Sequence, residues 1–121
     1  MRLDYKKKER VLKNLFVPLT KDSFFDFFRG KSFELRRAER QWNEKQIISC
    51  RMVTLSCGYS GRRIIGVINK VIFGSLSKIF QVVPWQKIEP RAKNKKEAIR
   101  ANKKLLGNAN RYVAFEIIFH A

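Results

Sequence analysis

The residues best suited to chemistry stand together at positions 31–36, where the run KSFELR places one carboxylate between two cations. In an extended strand, alternate side chains point to the same side, so the Cβ atoms of Glu34 and Arg36 would lie about 7 Å apart. Arg36 and Lys31 could then hold a phosphate, while Glu34 accepts a hydrogen bond from a base amino group or acts as a general base. The competing interpretation is a solvated strand face with an internal ion pair, and these residues alone leave both open.

Three further groups of side chains are candidates for contact with a nucleic acid. Two of them combine cations with an aromatic ring, which suits phosphates and unpaired bases. The third is the basic face of a predicted helix, whose row of cations suits a phosphate backbone. The groups are Arg37, Arg40 and Trp42; Tyr59, Arg62 and Arg63; and Lys95, Lys96, Arg100, Lys103 and Lys104. The alternatives are a core position for the tryptophan and solvated surfaces for the other two groups.

Few side chains are available for metal or redox chemistry. Cys50 and Cys57 are the two cysteines and His120 is the single histidine, which is too few ligands in the wrong spacing for a structural zinc site. We therefore predict no metal and no cofactor. The cysteines are expected to pack as small apolar residues, and His120 is not expected to be catalytic.

The charge of the chain restricts its partners. It has 121 residues and a formal net charge of +17, from 27 Lys and Arg residues against 10 Asp and Glu residues. No acidic residue occurs between 52 and 85, so the positive charge is spread along the chain and indicates a basic surface on the fold itself. The expected partner is a nucleic acid and not a membrane. RNA is favoured over DNA because no helix-turn-helix or basic zipper is visible.

Length and leader signals suggest how the chain is organised. Its length fits one domain, which we place at 14–121 after a charged lead-in at 1–13. We find no apolar run long enough to span a membrane and no secretory leader, so we expect a cytoplasmic protein, monomeric by default.

Short strands and helices must position these residues. Periodicity predicts strands over 15–19, 32–37, 47–55, 64–73, 80–85 and 111–119. Helices are predicted from the capping residue Thr20 to Gly30, and from Asn94 to Leu106. The inward stripe of the second helix comprises Ala98, Ile99, Asn102, Leu105 and Leu106, and one face of the last strand comprises Val113, Phe115, Ile117 and Phe119. The predicted fold class is α+β, a small mixed β-barrel of five to six strands with two to three flanking helices.

The motif around residue 31 resembles the signature of the ASCH family, a branch of the PUA-like β-barrels. Lys31, Glu34 and Arg36 match the spacing of its Gly-Lys-Glu-Arg pattern, although Gly30 directly precedes the lysine and Arg29 takes the usual glycine place. The aromatic-rich helix before the motif, the turn at 59–62 and the late helix with its terminal strand also resemble the family. The resemblance covers roughly residues 14–119.

The resemblance implies a cleft beside the motif that binds RNA or nucleotides. Some members of the family look like ribonucleases, and others are amidohydrolases that deacylate modified cytidines with a Lys, a Thr and a Glu. Lys31 matches that lysine, Glu34 stands where those enzymes have the threonine nucleophile, and Glu89 is a candidate for their glutamate. The candidate catalytic residues are therefore Lys31, Glu34 and Glu89, although a carboxylate cannot replace a hydroxyl nucleophile in that scheme.

Three functions remain open at this point. The first is a nucleic-acid-binding protein, most naturally for RNA, that uses the cleft at the motif and the basic helix face. The second is a hydrolase acting on RNA or on a modified nucleoside. The third is a small phage or mobile-element inhibitor that binds a host complex handling nucleic acids.

Overall fold

The computed structural model describes residues 14–119, so the lead-in predicted over 1–13 and His120 lie outside the described residues. Within this range the chain forms five strands, β1 Asn14–Leu19, β2 Phe33–Arg37, β3 Met52–Cys57, β4 Arg63–Gly74 and β5 Tyr112–Phe119. The α-helices of this range are α1 Lys21–Asp26, α2 Glu44–Ser49, α3 Leu76–Val82 and α4 Lys95–Leu106. Short 3₁₀ turns occur at Arg40–Trp42 and Trp85–Lys87.

The strands form one mixed sheet in the order β1-β3-β4-β5-β2. β1 runs parallel to β3, and the other neighbouring pairs are antiparallel. The sheet curls into a half-barrel, so the predicted α+β, PUA-like fold class is confirmed. β1 and β2 are its two edges, and Pro18 therefore lies on an edge strand, where its missing N–H breaks no ladder.

The turn that leads into β2 depends on local signals. Thr20 caps α1 by accepting a hydrogen bond from the Ser23 amide. Gly30 has a φ of 109°, which a residue with a side chain rarely adopts, and this lets the Lys31 amide turn back to the Asp26 carbonyl at 3.1 Å. The predicted helix from Thr20 is therefore confirmed, although its regular part ends at Asp26.

Two apolar cores lie on opposite sides of the sheet. One fills the inside of the half-barrel beneath α1, and the other lies between β2, β5, α3 and α4. The predicted face of β5 is confirmed, because Val113, Phe115 and Ile117 belong to the first core and Phe119 packs against it. Both cysteines are free and buried, as predicted.

Two predicted strands are wrong in part or in full. Residues 47–49 belong to α2, which Asn43 caps by accepting from the Gln46 amide, and β3 begins only at Met52. Residues 80–82 belong to α3, whose buried Leu76, Ile79 and Phe80 have helical spacing after the capping Ser75. Short apolar runs fit either structure, so these two errors explain why four helices occur rather than two or three.

The predicted inward stripe of α4 is also wrong at one position. Ala98 and Asn102 are buried, whereas Leu105 is 77% exposed. Leu105 lies on the flank of the helix that borders a cleft, and the core does not extend to that flank. No helix among residues 14–119 is both long enough and apolar enough to cross a membrane.

Candidate functional site

The motif residues meet at the seam between the two edge strands of the half-barrel. Glu34 and Arg36 lie on β2, and Lys31 lies in the turn before it. The Arg36 Nε donates to Glu34 Oε2 at 2.6 Å, and the Lys31 Nζ lies 3.2 Å from Glu34 Oε1. Arg36 also donates through Nη2 to the Pro18 carbonyl on β1 at 2.9 Å. One guanidinium therefore links β2 to the opposite edge of the sheet.

The Glu34 carboxylate is buried, so the solvated strand face considered from the sequence does not describe it. The residue is 4% exposed. Burial acts to raise the pKa of this carboxyl, but the Lys31 ammonium and the Arg36 guanidinium outweigh burial and hold the pKa below its ordinary value. Glu34 is therefore ionised at neutral pH, between two cations.

One oxygen of this carboxylate retains a capacity to accept. Oε1 is buried, and although it faces the Lys31 ammonium at ion-pair distance, it receives no well-aligned hydrogen bond from a described residue. The Lys31 ammonium at 3.2 Å offsets the cost of burying this oxygen. A ligand with an N–H or O–H group could donate to Oε1 if the Lys31 ammonium turned aside.

Aromatic rings hold both cations in place. The Arg36 guanidinium lies 4.6 Å from the centre of the Trp42 ring, and the Lys31 ammonium lies 5.2 Å from the centre of the Phe27 ring. Phe27 and Trp42 are themselves core residues, 8% and 7% exposed. Each cation therefore contacts a core aromatic ring as well as the Glu34 carboxylate.

The motif opens into a cleft of about 310 Å³. Glu89 lines it together with Lys31, Glu34 and Arg36, so the structure brings the three sequence-predicted catalytic candidates to one site. Asn102 of α4 also lines the cleft, and its Nδ2 donates to Glu89 Oε1 at 3.1 Å and to the Ala98 carbonyl at 2.8 Å. Asn102 was predicted only as part of the inward stripe of α4. Its amide in an otherwise apolar row was the one sequence feature that could have indicated a site residue.

Two hydroxyl groups on the cleft wall were not predicted as site residues. Thr20 and Ser23, at the start of α1, line the cleft opposite the α4 wall formed by Leu105 and Leu106. The capping pattern of Thr20 explains its position in the fold, and nothing local indicated that the cap would face the motif. The cleft thus contains two cations, two carboxylates, an amide and two hydroxyls.

The residues that follow β2 serve mainly to hold the fold. Arg37 donates to the Leu106 carbonyl at the end of α4 and pairs with Glu39 at 2.9 Å. Trp42 stacks on Phe115 and is too buried to receive a base, so its core interpretation is the one that the structure supports. Arg40 is an exception, since it has a φ of 55° and lines a recess of about 270 Å³ that also includes Arg36 and Leu106.

The predicted turn group lies at the tip of the β3–β4 connection. Tyr59 is 77% exposed, and the Lys21 ammonium lies 4.8 Å from its ring centre. Arg62 is exposed beside it. The Arg63 guanidinium lies 5.5 Å from the ring centre of Phe16, on the outer face of the sheet.

The basic face of α4 is exposed, and four of its five cations point away from the cleft. Its members are Lys95, Lys96, Arg100, Lys103 and Lys104, and none joins a salt bridge within residues 14–119. At about 100° per residue, Lys103 and Arg100 lie roughly 100° and 160° from Asn102, whereas Leu105 lies about 60° to the other side. Lys96, Arg100, Lys103 and Lys104 therefore form a basic region separate from the cleft, whereas Lys95 lies on the Asn102 side, two turns nearer the start of the helix.

A buried ion-pair network that the sequence analysis missed supports the turn before the motif. Asp26 is 1% exposed, and both of its carboxylate oxygens accept from the Arg91 Nε, at 2.9 and 3.1 Å. Arg29 donates to the same carboxylate at 3.0 Å. Asp26 and Arg91 are 65 positions apart in the sequence, so no local pattern indicated this pair.

Among residues 14–119, no group of three or more His, Cys, Asp or Glu side chains could hold a metal ion. The donor set of the cleft is mixed in charge, with cations beside each carboxylate, and such a set suits a polar organic ligand or a phosphate better than a cation.

Comparisons with known proteins show the fold. No family model matches the chain, and no curated protein does. The crystal structure of the hypothetical protein PH0355 is similar, with a TM-score of 0.68 and 13% identity over 88% of this chain and 99% of that chain. The ASCH protein from Zymomonas mobilis is similar with a TM-score of 0.60 and 11% identity over 89% of this chain and 68% of that chain. A Pyrococcus furiosus protein has a TM-score of 0.57 and 16% identity over 86% and 94% of the two chains. The chain therefore has an ASCH-like fold, and the predicted resemblance is confirmed at that level.

Proposed function

We propose that the protein binds RNA and that the cleft at Lys31, Glu34 and Arg36 receives one unpaired nucleotide. The observation that carries the proposal is the buried carboxylate of Glu34, which is held between two cations on the wall of a cleft. A nucleotide offers complementary groups, since bases carry amino or imino donors and phosphates carry negative oxygens.

The size of the cleft supports a single nucleotide. Its volume of about 310 Å³ is at the lower end of the range of small-molecule pockets, about 300–1,000 Å³. A base within a duplex is stacked on both sides and cannot enter such a space, whereas bases in single-stranded RNA can be splayed out. The net charge of +17 supports a long anionic ligand over an isolated nucleoside, which would need no such field.

Different groups of the cleft contact the base and the phosphate of the nucleotide. Glu34 Oε1 accepts from the base, and the Lys31 ammonium, which has ion-pair contact but no aligned bond to Oε1, turns to the phosphate. The Arg36 guanidinium keeps its bond to Glu34 and offers its remaining N–H groups. The exposed cations of α4 contact the backbone of a longer RNA on another side of the domain.

The test measures affinity for a fluorescently labelled single-stranded RNA by anisotropy. Arg36→Ala is expected to weaken binding about tenfold or more, as the loss of a hydrogen bond to a charged group does. Arg111→Ala is the matched control, because it removes the same charge from an exposed pair with Glu44 outside the cleft. Equal losses in the two variants would mean that only net charge matters, and the proposed cleft would be wrong.

Salt dependence gives a second measure of the same binding. With about five phosphate contacts on a single strand, the logarithm of affinity should fall with the logarithm of salt concentration at a slope of about −3.5. A slope near zero would contradict a polyanion as the ligand.

One observation favours a hydrolase as the second candidate function. The motif lacks a hydroxyl nucleophile, but Thr20 and Ser23 bring hydroxyl groups to the same cleft as Lys31 and Glu89. Product analysis after incubation with RNA and with acylated cytidines would detect such an activity. Turnover by the unaltered protein that Ser23→Ala abolishes without loss of affinity would establish this alternative.

A further inference from the structure

The turn between β3 and β4 carries an aromatic ring that the core does not use. Tyr59 is 77% exposed at the tip of this turn. The turn is well fixed, because the Gly61 amide donates to the Cys57 carbonyl at 2.7 Å and the Cys57 amide donates to the Arg62 carbonyl at 2.8 Å. An exposed ring on a fixed turn loses little conformational entropy when a flat partner stacks on it.

This turn is docked on the wall of the cleft. The Gly58 amide donates to the Leu19 carbonyl at 2.9 Å, and a Cβ at Gly58 would come within 3.3 Å of that same oxygen. Leu19 and Thr20 line the cleft, and Lys21 is the next residue of the chain. The turn that carries Tyr59 therefore contacts a residue of the cleft wall, on the side where Lys21 lies against the ring.

The charges around the ring suit a phosphate that joins two nucleotides. The Lys21 ammonium lies 4.8 Å from the Tyr59 ring centre, and Arg62 is exposed on the same turn. A cation beside an aromatic ring is the combination that single-stranded nucleic acids meet in binding grooves, where the ring stacks on a base and the cation contacts the backbone.

We propose that Tyr59 and Lys21 form a stacking platform for the nucleotide next to the one held in the cleft. The inference rests on the proposed function and deepens it: the ligand is a single strand of at least two nucleotides, rather than a free mononucleotide. Two adjacent bases are then held differently, the first in the cleft by hydrogen bonds and the second on the open ring by stacking.

The experiment compares affinities for a mononucleotide, cytidine monophosphate, and for single-stranded RNA of two, four and eight nucleotides. Tyr59→Leu should weaken binding of the RNAs about tenfold, as the loss of a stacked base does, and should leave the mononucleotide unchanged. Tyr59→Phe keeps the ring and should bind like the unaltered protein. Since Tyr59 is exposed, neither substitution should change the thermal unfolding midpoint.

Two controls separate the platform from general effects. Phe28→Leu removes another exposed ring, 60% exposed and outside the lining of the cleft, and should have no effect. Lys21→Gln should make the salt slope shallower by about 0.7, the value for one phosphate contact on a single strand.

The failures of the two proposals can be told apart. If Tyr59→Leu binds the RNAs normally while Arg36→Ala still binds them weakly, the platform is wrong and the cleft stands. If Tyr59→Leu weakens mononucleotide and RNA equally, the ring belongs to the first subsite and the platform is again wrong. If Arg36→Ala binds the RNAs normally, the proposed function itself fails. Binding to an acidic protein in place of RNA would overturn both.

Discussion

The coupling between Glu34 and Arg36 allows the sharpest test of the site. Arg36→Met removes the 2.6 Å bond to the buried carboxylate, the bond to the Pro18 carbonyl and the contact with the Trp42 ring. A hydrogen bond to a charged group contributes about 1.5–3 kcal/mol, and breaking a buried pair from one side costs about 3–5 kcal/mol. The Arg36 side chain is 20% exposed, and Lys31 still faces the carboxylate. We therefore expect a loss of about 3 kcal/mol in the free energy of unfolding.

A double-mutant cycle separates the interaction energy between Glu34 and Arg36 from the other contacts that each residue makes. Glu34→Gln removes the charge with little change of shape, and the double variant contains neither the buried carboxylate nor the guanidinium that neutralises it. The double variant should therefore lose less than the sum of the two single losses, by about 1–2 kcal/mol. The assay is urea unfolding at pH 7, followed by the fluorescence of the two tryptophans.

The pH dependence of this coupling has a definite sign. The pKa of Glu34 is lowered in the folded protein, so its contribution to stability is present above the ordinary value of 4.5 and is lost as pH falls through the folded pKa. Without Arg36 two of the causes that lower the pKa are absent while burial still raises it, so the folded pKa of Glu34 is higher in the variant and the variant loses less stability than the unaltered protein as pH falls below 4.5. The difference in the free energy of unfolding between the two proteins should therefore shrink as pH falls from 4.5 toward 3.5. The reasoning would be refuted if the losses of unfolding free energy in the two single variants simply added in the double variant. It would also be refuted if the difference in stability between the unaltered protein and the Arg36→Met variant were equal at pH 7 and pH 3.5.

Two further predictions concern the basic face of α4 and the turn before β2. Reversing Lys96, Arg100 and Lys103 to Glu should weaken binding of all RNA sequences alike and leave mononucleotide binding unchanged, because these residues point away from the cleft. Anisotropy with two unrelated RNAs measures this, and a loss of affinity confined to one of them would contradict a role in backbone contact. Asp26→Asn should cost about 2 kcal/mol in urea unfolding because it weakens the buried pair with Arg91, and a loss below about 0.5 kcal/mol would show that this network does not hold the turn.

The local parts of the site follow from the sequence. The capping residues Thr20 and Asn94, the alternation of β2 and the position of Gly30 were all read from neighbouring residues, because capping and side-chain alternation act within four residues or fewer. Charge is likewise a property of the sequence alone. The grouping of Lys31, Glu34 and Arg36 therefore needed no tertiary information.

The wrong predictions share a physical cause. The apolar runs near Ile47 and Phe80 are short, and a run of that length fits a buried strand or a helix equally well. Packing decided between them, since Ile79 and Phe80 bury one side of α3 against α4 and β5. Leu105 has the spacing of a core residue, and it is exposed because the sheet leaves that flank of α4 uncovered.

The sequence by itself determined which charges the protein has, where its helices can begin, and that two cations flank a carboxylate on a strand. Only the tertiary structure decided that the carboxylate is buried, that Glu89 and Asn102 line the same cleft, and that the turn carrying Tyr59 contacts Leu19 of the cleft wall. The reason is that desolvation and the meeting of distant segments depend on which strands pair. The edge strands β1 and β2 meet only when the sheet curls, and no local pattern encodes that closure.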